Sequence, residues 1–504
     1  MAAALLLLCS CAASARAAGE DATFAVSRLS VADKVLDLLT EDLNNDGLKD
    51  IIVIHRKGLV PHETRWISIF WQNGDGRFAT AADQSWEIDT TAVVIDVGNV
   101  IGDAKREIVC ITPTDVRCYT MVDGSFDTRA STLFETNGLA VFPAKGVIPC
   151  IDFARDWNGD GRDEVGVFLF EGLAIFMPDP KGAFTSRGAL PMELDTRMWG
   201  REFFTGEPGV TTGLTARYSF PDIRLVDFNA DGRPDVVAAA QDKVMAYRQD
   251  GSGAFAPESG YRMDFDVRTQ KEKLEDIATL QTIIADVNND GYADAFVTKQ
   301  IAKGLSSFRA VINIFTGGPG GYGKQPNQVI ISEGTASARS FIQDVNGDSR
   351  LDLVLPSVKM SIAAIIRILI TRSVPVYFNV FLLGDNGKFS ERPDFSKEIK
   401  FQIDFSGDSD TQAMDLEGDF NGDKRKDFVF ATGEEELSIY LGVKDGGSEL
   451  FSKKPVAKVK ASAFGDLSSP DLNGDGYSDM VIYYPESKDR WGTAEVLLNL
   501  RKIH

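Results

Sequence analysis

The chain has 504 residues, 43% hydrophobic and 25% charged, enough to bury a large core, which excludes a disordered tail; 46 Gly and 19 Pro exclude collagen-like and low-complexity classes. Five Cys exclude a disulfide scaffold. A formal net charge of −21 repels phosphate backbones and anionic lipid unless the carboxylates are occupied by cations, so a nucleic-acid partner is excluded and cation binding is tested first.

Residues 1–18, MAAALLLLCSCAASARAA, read as an export signal, a short apolar run ending in small residues with a cut after Ala17, although the usual basic start is missing. Leu8-Cys9-Ser10-Cys11 also has the form of a lipoprotein cleavage box with Cys11 as the lipid-bearing residue. Free and lipid-anchored forms both stay open, as do periplasmic, cell-surface and secreted locations. No later stretch reaches about 18 uncharged apolar residues, so no membrane span is expected. In an oxidising compartment, Cys110 and Cys118 on either side of Thr112-Pro113-Thr114-Asp115 are placed to face each other across a hairpin as a disulfide, leaving Cys150 as a small buried hydrophobe. His55, His62 and His504 lack any zinc spacing.

Internal repeats dominate the rest. Seven nonapeptides share one pattern: DLNNDGLKD, DWNGDGRDE, DFNADGRPD, DVNNDGYAD, DVNGDSRLD, DFNGDKRKD and DLNGDGYSD, starting at Asp42, Asp156, Asp227, Asp286, Asp344, Asp419 and Asp471. An eighth, NVIGDAKRE from Asn99, is degenerate. Successive starts lie 52 to 75 residues apart, the size of one small sheet. Each nonapeptide is preceded by apolar residues and followed by a β-rich run such as IIVIH, VGVFLF or MVIYY, which makes it the loop of a hairpin. A third strand then ends in a Gly-containing turn and an aromatic: Phe78, Phe126, Phe184, Phe255, Tyr322, Phe389 and Phe451, where a fourth strand starts.

The last repeat stops after its third strand, AEVLLNL, while ATFAVSRLS at 22–30 precedes the first motif with Phe24 in the aromatic position. An N-terminal strand completing the last sheet closes a ring and removes exposed edges. The fold expected is all-β, a single β-propeller over 22–504 with four-stranded blades, eight favoured and seven if the Asn99 repeat belongs to an irregular blade.

On these D-x-N-x-D-G-x-x-D loops followed by hydrophobic strands, the sequence resembles the FG-GAP/VCBS repeat family, which includes the propeller heads of integrin alpha subunits and many exported bacterial proteins. The resemblance covers nearly all of 22–500. It implies one Ca²⁺ per nonapeptide loop and a propeller that serves as a recognition or structural platform.

The loop chemistry points the same way. Ca²⁺ takes six to eight oxygens, and a tight loop supplies them from alternate residues. Position 1 is Asp42, Asp156, Asp227, Asp286, Asp344, Asp419 or Asp471, and position 3 is Asn44, Asn158, Asn229, Asn288, Asn346, Asn421 or Asn473. Position 5 is Asp46, Asp160, Asp231, Asp290, Asp348, Asp423 or Asp475, and position 9 is Asp50, Glu164, Asp235, Asp294, Asp352, Asp427 or Asp479. Position 7 varies without chemical theme (Leu48, Arg162, Arg233, Tyr292, Arg350, Arg425, Tyr477), so as a ligand it acts through its carbonyl. Gly at position 6 (Gly47, Gly161, Gly232, Gly291, Gly476) supplies a left-handed turn. Ser349 and Lys424 there are strained by roughly 1 kcal/mol, which predicts weaker sites. Up to seven Ca²⁺ are expected, bringing the formal charge from −21 to about −7; the Asn99 loop, with Ile101 at position 3, is expected to bind none. Asx-turn hairpins without an ion are the alternative.

Three stretches exceed the repeat. Residues 190–220 place Trp199, Phe203 and Phe204 beside Arg197 and Arg201, a composition suited to ligand binding or to packing the insertion on its blade. Residues 357–373 place Ile362, Ile365, Ile366 and Leu369 at helical spacing, predicting an amphipathic helix docked on the propeller, a partner or lipid contact being the alternative. Residues 264–276, DFDVRTQKEKLED, read as a solvated loop. No nucleophile elbow, phosphate loop or metal-hydrolase motif is present, and His55-Arg56-Lys57 is the one grouping that suits action on an acidic saccharide. The expected function is an exported, calcium-stabilised platform binding a protein or carbohydrate ligand at the cell envelope, not an enzyme; a polysaccharide lyase or hydrolase and a purely structural envelope component are the alternatives.

Overall fold

The computed structural model describes residues 23–503 apart from 60–61, 140–146, 202–212, 276, 303–307, 334, 338–339, 360, 403–412, 444–449 and 463. Residues 1–18, read above as an export signal with Cys11, and Phe203 and Phe204, lie outside the described residues. Eight antiparallel sheets stand in a ring, an eight-bladed propeller. Blade 1 is Val35–Glu41, Asp50–Lys57, Thr64–Phe70 and Gln84–Glu87; blade 2 is Val94–Gly98, Glu107–Ile111, Asp115–Tyr119 and Ser131–Glu135. Blade 3 is Ala154–Arg155, Glu164–Leu169, Gly172–Pro178 and Phe184–Pro191; blade 4 is Asp222–Val226, Asp235–Ala240, Lys243–Gln249 and Phe255–Asp264. Blade 5 is Ala278–Ala285, Asp294–Ala302, Phe308–Phe315 and Gln328–Glu333. In blade 6, Thr335–Ser337 and Phe341–Gln343 both pair with Asp352–Lys359, followed by Ser373–Phe381 and Phe395–Gln402. Blade 7 is Met414–Asp415, Phe428–Gly433, Glu436–Tyr440 and Ala457–Val459. The Asn99 repeat thus forms a complete blade.

Blade 8 takes Asp466–Ser468, Met480–Tyr483 and Thr493–Asn499 from the C-terminal end, and Phe24–Ser30 as its fourth strand, in register from Phe24↔Asn499 to Ser30↔Thr493. The ring closes as the unfinished last repeat predicts.

The continuous apolar second strands follow from burial on both faces. Ile52 and Ile54 pack towards blade 2, while Ile51 and Val53 pack towards blade 8. Every interface between neighbouring blades holds such a buried cluster, eight around the ring. The turn aromatics fasten each blade to the one before: Phe126 against Trp86, Phe184 against Phe134, Tyr322 against Phe228, Phe389 against Phe296, and Phe24 edge-on to Phe420.

Three expectations need correction. Cys110 pairs with Arg117 and Cys118 with Val109, so the two cysteines are one residue out of register and point to opposite faces of blade 2. Cys110 packs between blades 1 and 2, Cys118 between blades 2 and 3, and both are free thiols, as is half-buried Cys150. The 357–373 helix forms over Ile362–Thr371 but is only partly covered: Ala364, Ile365 and Ile368 are half-buried and none of its residues is buried. Within 264–276 a short helix, Gln270–Glu275, replaces the expected loop, started by a reciprocal cap in which Glu272 donates its amide to Thr269 Oγ1 (3.2 Å) and accepts the Thr269 amide (2.7 Å).

Candidate functional site

Each acidic nonapeptide joins the first and second strands of a blade. All seven share one hydrogen-bond network. The position 1 carboxylate accepts the amides of positions 5 (3.0–3.2 Å) and 6 (2.7–2.9 Å). The position 5 carboxylate accepts the amide of position 7 at 2.9–3.0 Å. Position 6 is left-handed throughout, with φ from 67° at Ser349 and Lys424 to 90° at Gly161. Position 4 is left-handed as well, with φ from 57° at Asn289 to 81° at Gly159. The sequence held a signal for that second bend, since position 4 is only ever Asn, Gly or Ala.

The position 9 acid ties the loop to its blade. Asp50 accepts the Leu43 amide at 3.2 Å and the Gln72 amide at 2.9 Å, and Asp235, Asp294, Asp352, Asp427 and Asp479 repeat this with the second loop residue and the end of the third strand. Glu164, one methylene longer, accepts the Trp157 amide and Asn158 Nδ2. Burial, reinforced by the carboxylates at positions 1 and 5, pushes Asp50, Asp294, Asp352, Asp427 and Asp479 up to about 7 and Glu164 to about 8. Each loop thus gathers three acids, and burial opposes ionisation of the one at position 9.

Arginines relieve part of that charge in four loops: Arg233 on Asp231, Arg350 on Asp348 and Arg425 on Asp423, each at 2.6 Å, and Arg501 on Asp475 at 2.8 Å. At Asp46, Asp160 and Asp290 the partner is instead the neighbouring Asn amide, at 3.0–3.1 Å. Among the described residues no three His, Cys, Asp or Glu side chains converge as a preformed metal site. The position 9 acid faces the backbone of its blade, and the oxygen at position 3 belongs to an Asn.

The loops also touch one another. The position 8 amide of Lys49 donates to Leu472 O (2.8 Å), that of Leu351 to Val287 O (3.0 Å) and that of Ser478 to Asp419 O (2.7 Å), in each case to the loop of the preceding blade. Gln72 and Asn499 reach back in the same way, to Leu472 O and Phe420 O (both 2.9 Å). The Asn99 loop keeps the shape with Asn in place of the position 1 acid and Ile101 at position 3. Gly102 (φ 86°) and Ala104 (φ 69°) make the two bends, Lys105 N donates to Asp103 Oδ1 at 3.1 Å, and Glu107 accepts the Val100 and Ile101 amides.

The other predicted positions separate. The 190–220 insertion is a two-stranded ladder, Asp195–Arg201 with Gly213–Ser219, pairing Trp199 with Thr215. His55 is no surface group: it is buried, bonded to Ala32 O (3.0 Å) and Ser68 Oγ (2.8 Å), and burial holds its pKa down at about 4. Sequence reasoning missed two cavities. One of about 490 Å³ lies among blades 2, 3 and 4, lined by Trp157, Phe168 and Phe220 with Arg155 and Arg224 at its wall. Phe220 stacks on Phe168 at 4.2 Å and the Arg155 guanidinium lies 4.2 Å from the Trp157 ring. A more polar cavity of about 950 Å³ is lined by the first strands of blades 4 to 7, including Arg224, Gln281, Gln343, Asp415 and Glu417.

A family model for the FG-GAP-like repeat matches residues 227–297 and 419–491. No curated protein matches the chain. Among solved structures, a lectin from Agrocybe aegerita, described as recognising non-reducing terminal N-acetylglucosamine, is 16% identical over 92% of this chain and 100% of its own, with a TM-score of 0.39. Sqt1 from Chaetomium thermophilum is 10% identical over 94% of this chain and 98% of its own (TM-score 0.43), and the V. cholerae biofilm matrix protein Bap1 is 12% identical over 94% and 77% (TM-score 0.31).

Proposed function

From a β-propeller built of FG-GAP-like repeats, we propose an exported recognition platform, held rigid by Ca²⁺ in its acidic loops and presenting a protein or carbohydrate binding surface at the cell envelope. The observation that carries the calcium half is the contrast between the seven intact loops and the Asn99 loop. The latter makes the same two bends, and its position 9 acid still accepts the position 2 amide, with Asn at position 1 and Ile at position 3. The turn therefore does not require the full acidic set, yet seven loops keep it at a cost in mutual repulsion. A divalent cation relieves that repulsion, held by the side-chain oxygens of positions 1, 3 and 5 and the carbonyl of position 7, while the position 9 acid, tied to backbone amides, adds its charge beside them. The loops of Asp46, Asp160 and Asp290, whose position 5 acids pair with no arginine, are the strongest candidates.

The binding half is supported by the 490 Å³ cavity, whose size and aromatic lining with two arginines suit a small polar ligand such as a sugar. Catalysis finds less support, since the one grouping that suggested it centres on a buried, fully bonded imidazole. The test is elemental analysis of calcium per chain with the thermal midpoint in Ca²⁺ and in excess EGTA. Wild type is expected to hold up to seven ions and to lose its upper midpoint in EGTA. The Asn99→Asp/Ile101→Asn variant is expected to gain one ion. A metal-free chain with an unchanged midpoint would refute the calcium half. A glycan panel read for both retention and cleavage tests the binding half, and cleavage would refute it.

A further inference from the structure

We propose that the helix Ile362–Thr371 is a membrane-docking element that lies in the interface of an anionic lipid bilayer. It is a finished helix: Ser361 Oγ caps it by accepting the Ala364 amide at 3.0 Å, and Arg372 ends it in the left-handed conformation (φ 49°). Its sequence, IAAIIRILIT, is apolar on nearly every side. Ala364, Ile365 and Ile368 are half-buried. At 100° per residue the opposite side carries Ile362, Ile366, Leu369 and Ile370, exposed by 65, 52, 59 and 76%. A helix with that much uncovered aliphatic surface is stable in water only when something apolar covers it. Ten residues rise about 15 Å, half of what a bilayer span needs but enough to lie in its interface.

Charge selects lipid as the occupant. Residues 357–373 carry Lys359, Arg367 and Arg372 and no acid, in a chain of net charge −21. Lys400, exposed opposite Pro375 on the adjoining strand, adds a fourth cation, and Glu398 opposite Tyr377 is the acid facing them on that strand. Cations flanking an outward apolar face match the headgroup and acyl layers of an anionic leaflet. A second copy of the chain fits less well, because a two-fold helix-to-helix contact sets these cations against themselves.

The test is vesicle flotation of the full chain, with Cys11→Ser in every arm so that no lipid at that position contributes. Vesicles are phosphatidylcholine alone, or phosphatidylcholine mixed equally with phosphatidylglycerol, in enough Ca²⁺ to fill the acidic loops. The protein is expected to float with the anionic vesicles and not with phosphatidylcholine alone. Ile366→Asp/Ile370→Asp and Arg367→Glu/Arg372→Glu are each expected to cut the floating fraction about tenfold, with the thermal midpoint unchanged because the side chains are exposed. No flotation, or flotation indifferent to both variants, overturns the proposal. So does a dimer in sedimentation that Ile366→Asp/Ile370→Asp dissociates while vesicles are ignored.

Discussion

Phe24 tests how the ring is closed. It opens the strand that the N-terminal end lends to blade 8, it is 7% exposed, and its ring meets Phe420 of blade 7 edge-on at 6.3 Å and 79°. Its buried neighbours in the cluster include Val429, Met480 and Leu497. Truncating a Phe so enclosed costs about 3–5 kcal/mol, from lost burial plus the cavity left behind. Val26 lies two residues along the same strand, 55% exposed, and its truncation costs within about 0.5 kcal/mol. Urea titration of Phe24→Ala and Val26→Ala side by side, followed by circular dichroism, should separate the two by about 3 kcal/mol. Release of the strand also bares the edge of Thr493–Asn499, so Phe24→Ala should aggregate on warming before wild type does. Equal midpoints for the two variants would mean that this strand is an appendage and that blade 8 stands without it.

Two further outcomes follow from buried groups. His55 has its pKa lowered to about 4 by burial, so its neutral form contributes stability that is fully present above the unfolded value near 6.5 and is lost as pH falls towards 4. Wild type should exceed His55→Gln in urea midpoint at pH 7.5, the gap narrowing by about 2 kcal/mol at pH 5; a gap independent of pH refutes the assignment. Burial raises the thiols of Cys110 and Cys118, the latter to about 11, and the two face apart. Both should resist a thiol reagent in the folded chain and react when it is unfolded without reductant, whereas a disulfide would leave them unreactive in both states.

What the sequence made legible was local. The repeat, the hairpin around each nonapeptide and the position 6 bend are set by residues within nine of each other, and the missing fourth strand was visible because seven other blades showed what it should contain. The failures share one cause. Whether Cys118 faces Cys110 depends on a one-residue register that the turn composition leaves open, and in a strand one residue changes the face. The backward reach of Gln72 to Leu472 spans 400 residues, and nothing in the local pattern around Gln72 marks it. Trp157 is position 2 of its nonapeptide, where nothing in the motif marks it; its place beside Phe168 and Phe220 in a cavity depends on three blades meeting. The helix at 362–371 shows the same limit from the other side. Periodicity gave the helix correctly, but a hydrophobic stripe states only that something apolar must cover it, and the covering surface belongs to whatever the fold places opposite. Here the fold leaves Ile366 and Ile370 uncovered, so what the sequence presents as an amphipathic helix docked on the propeller becomes, once the blades are in place, an exposed apolar surface.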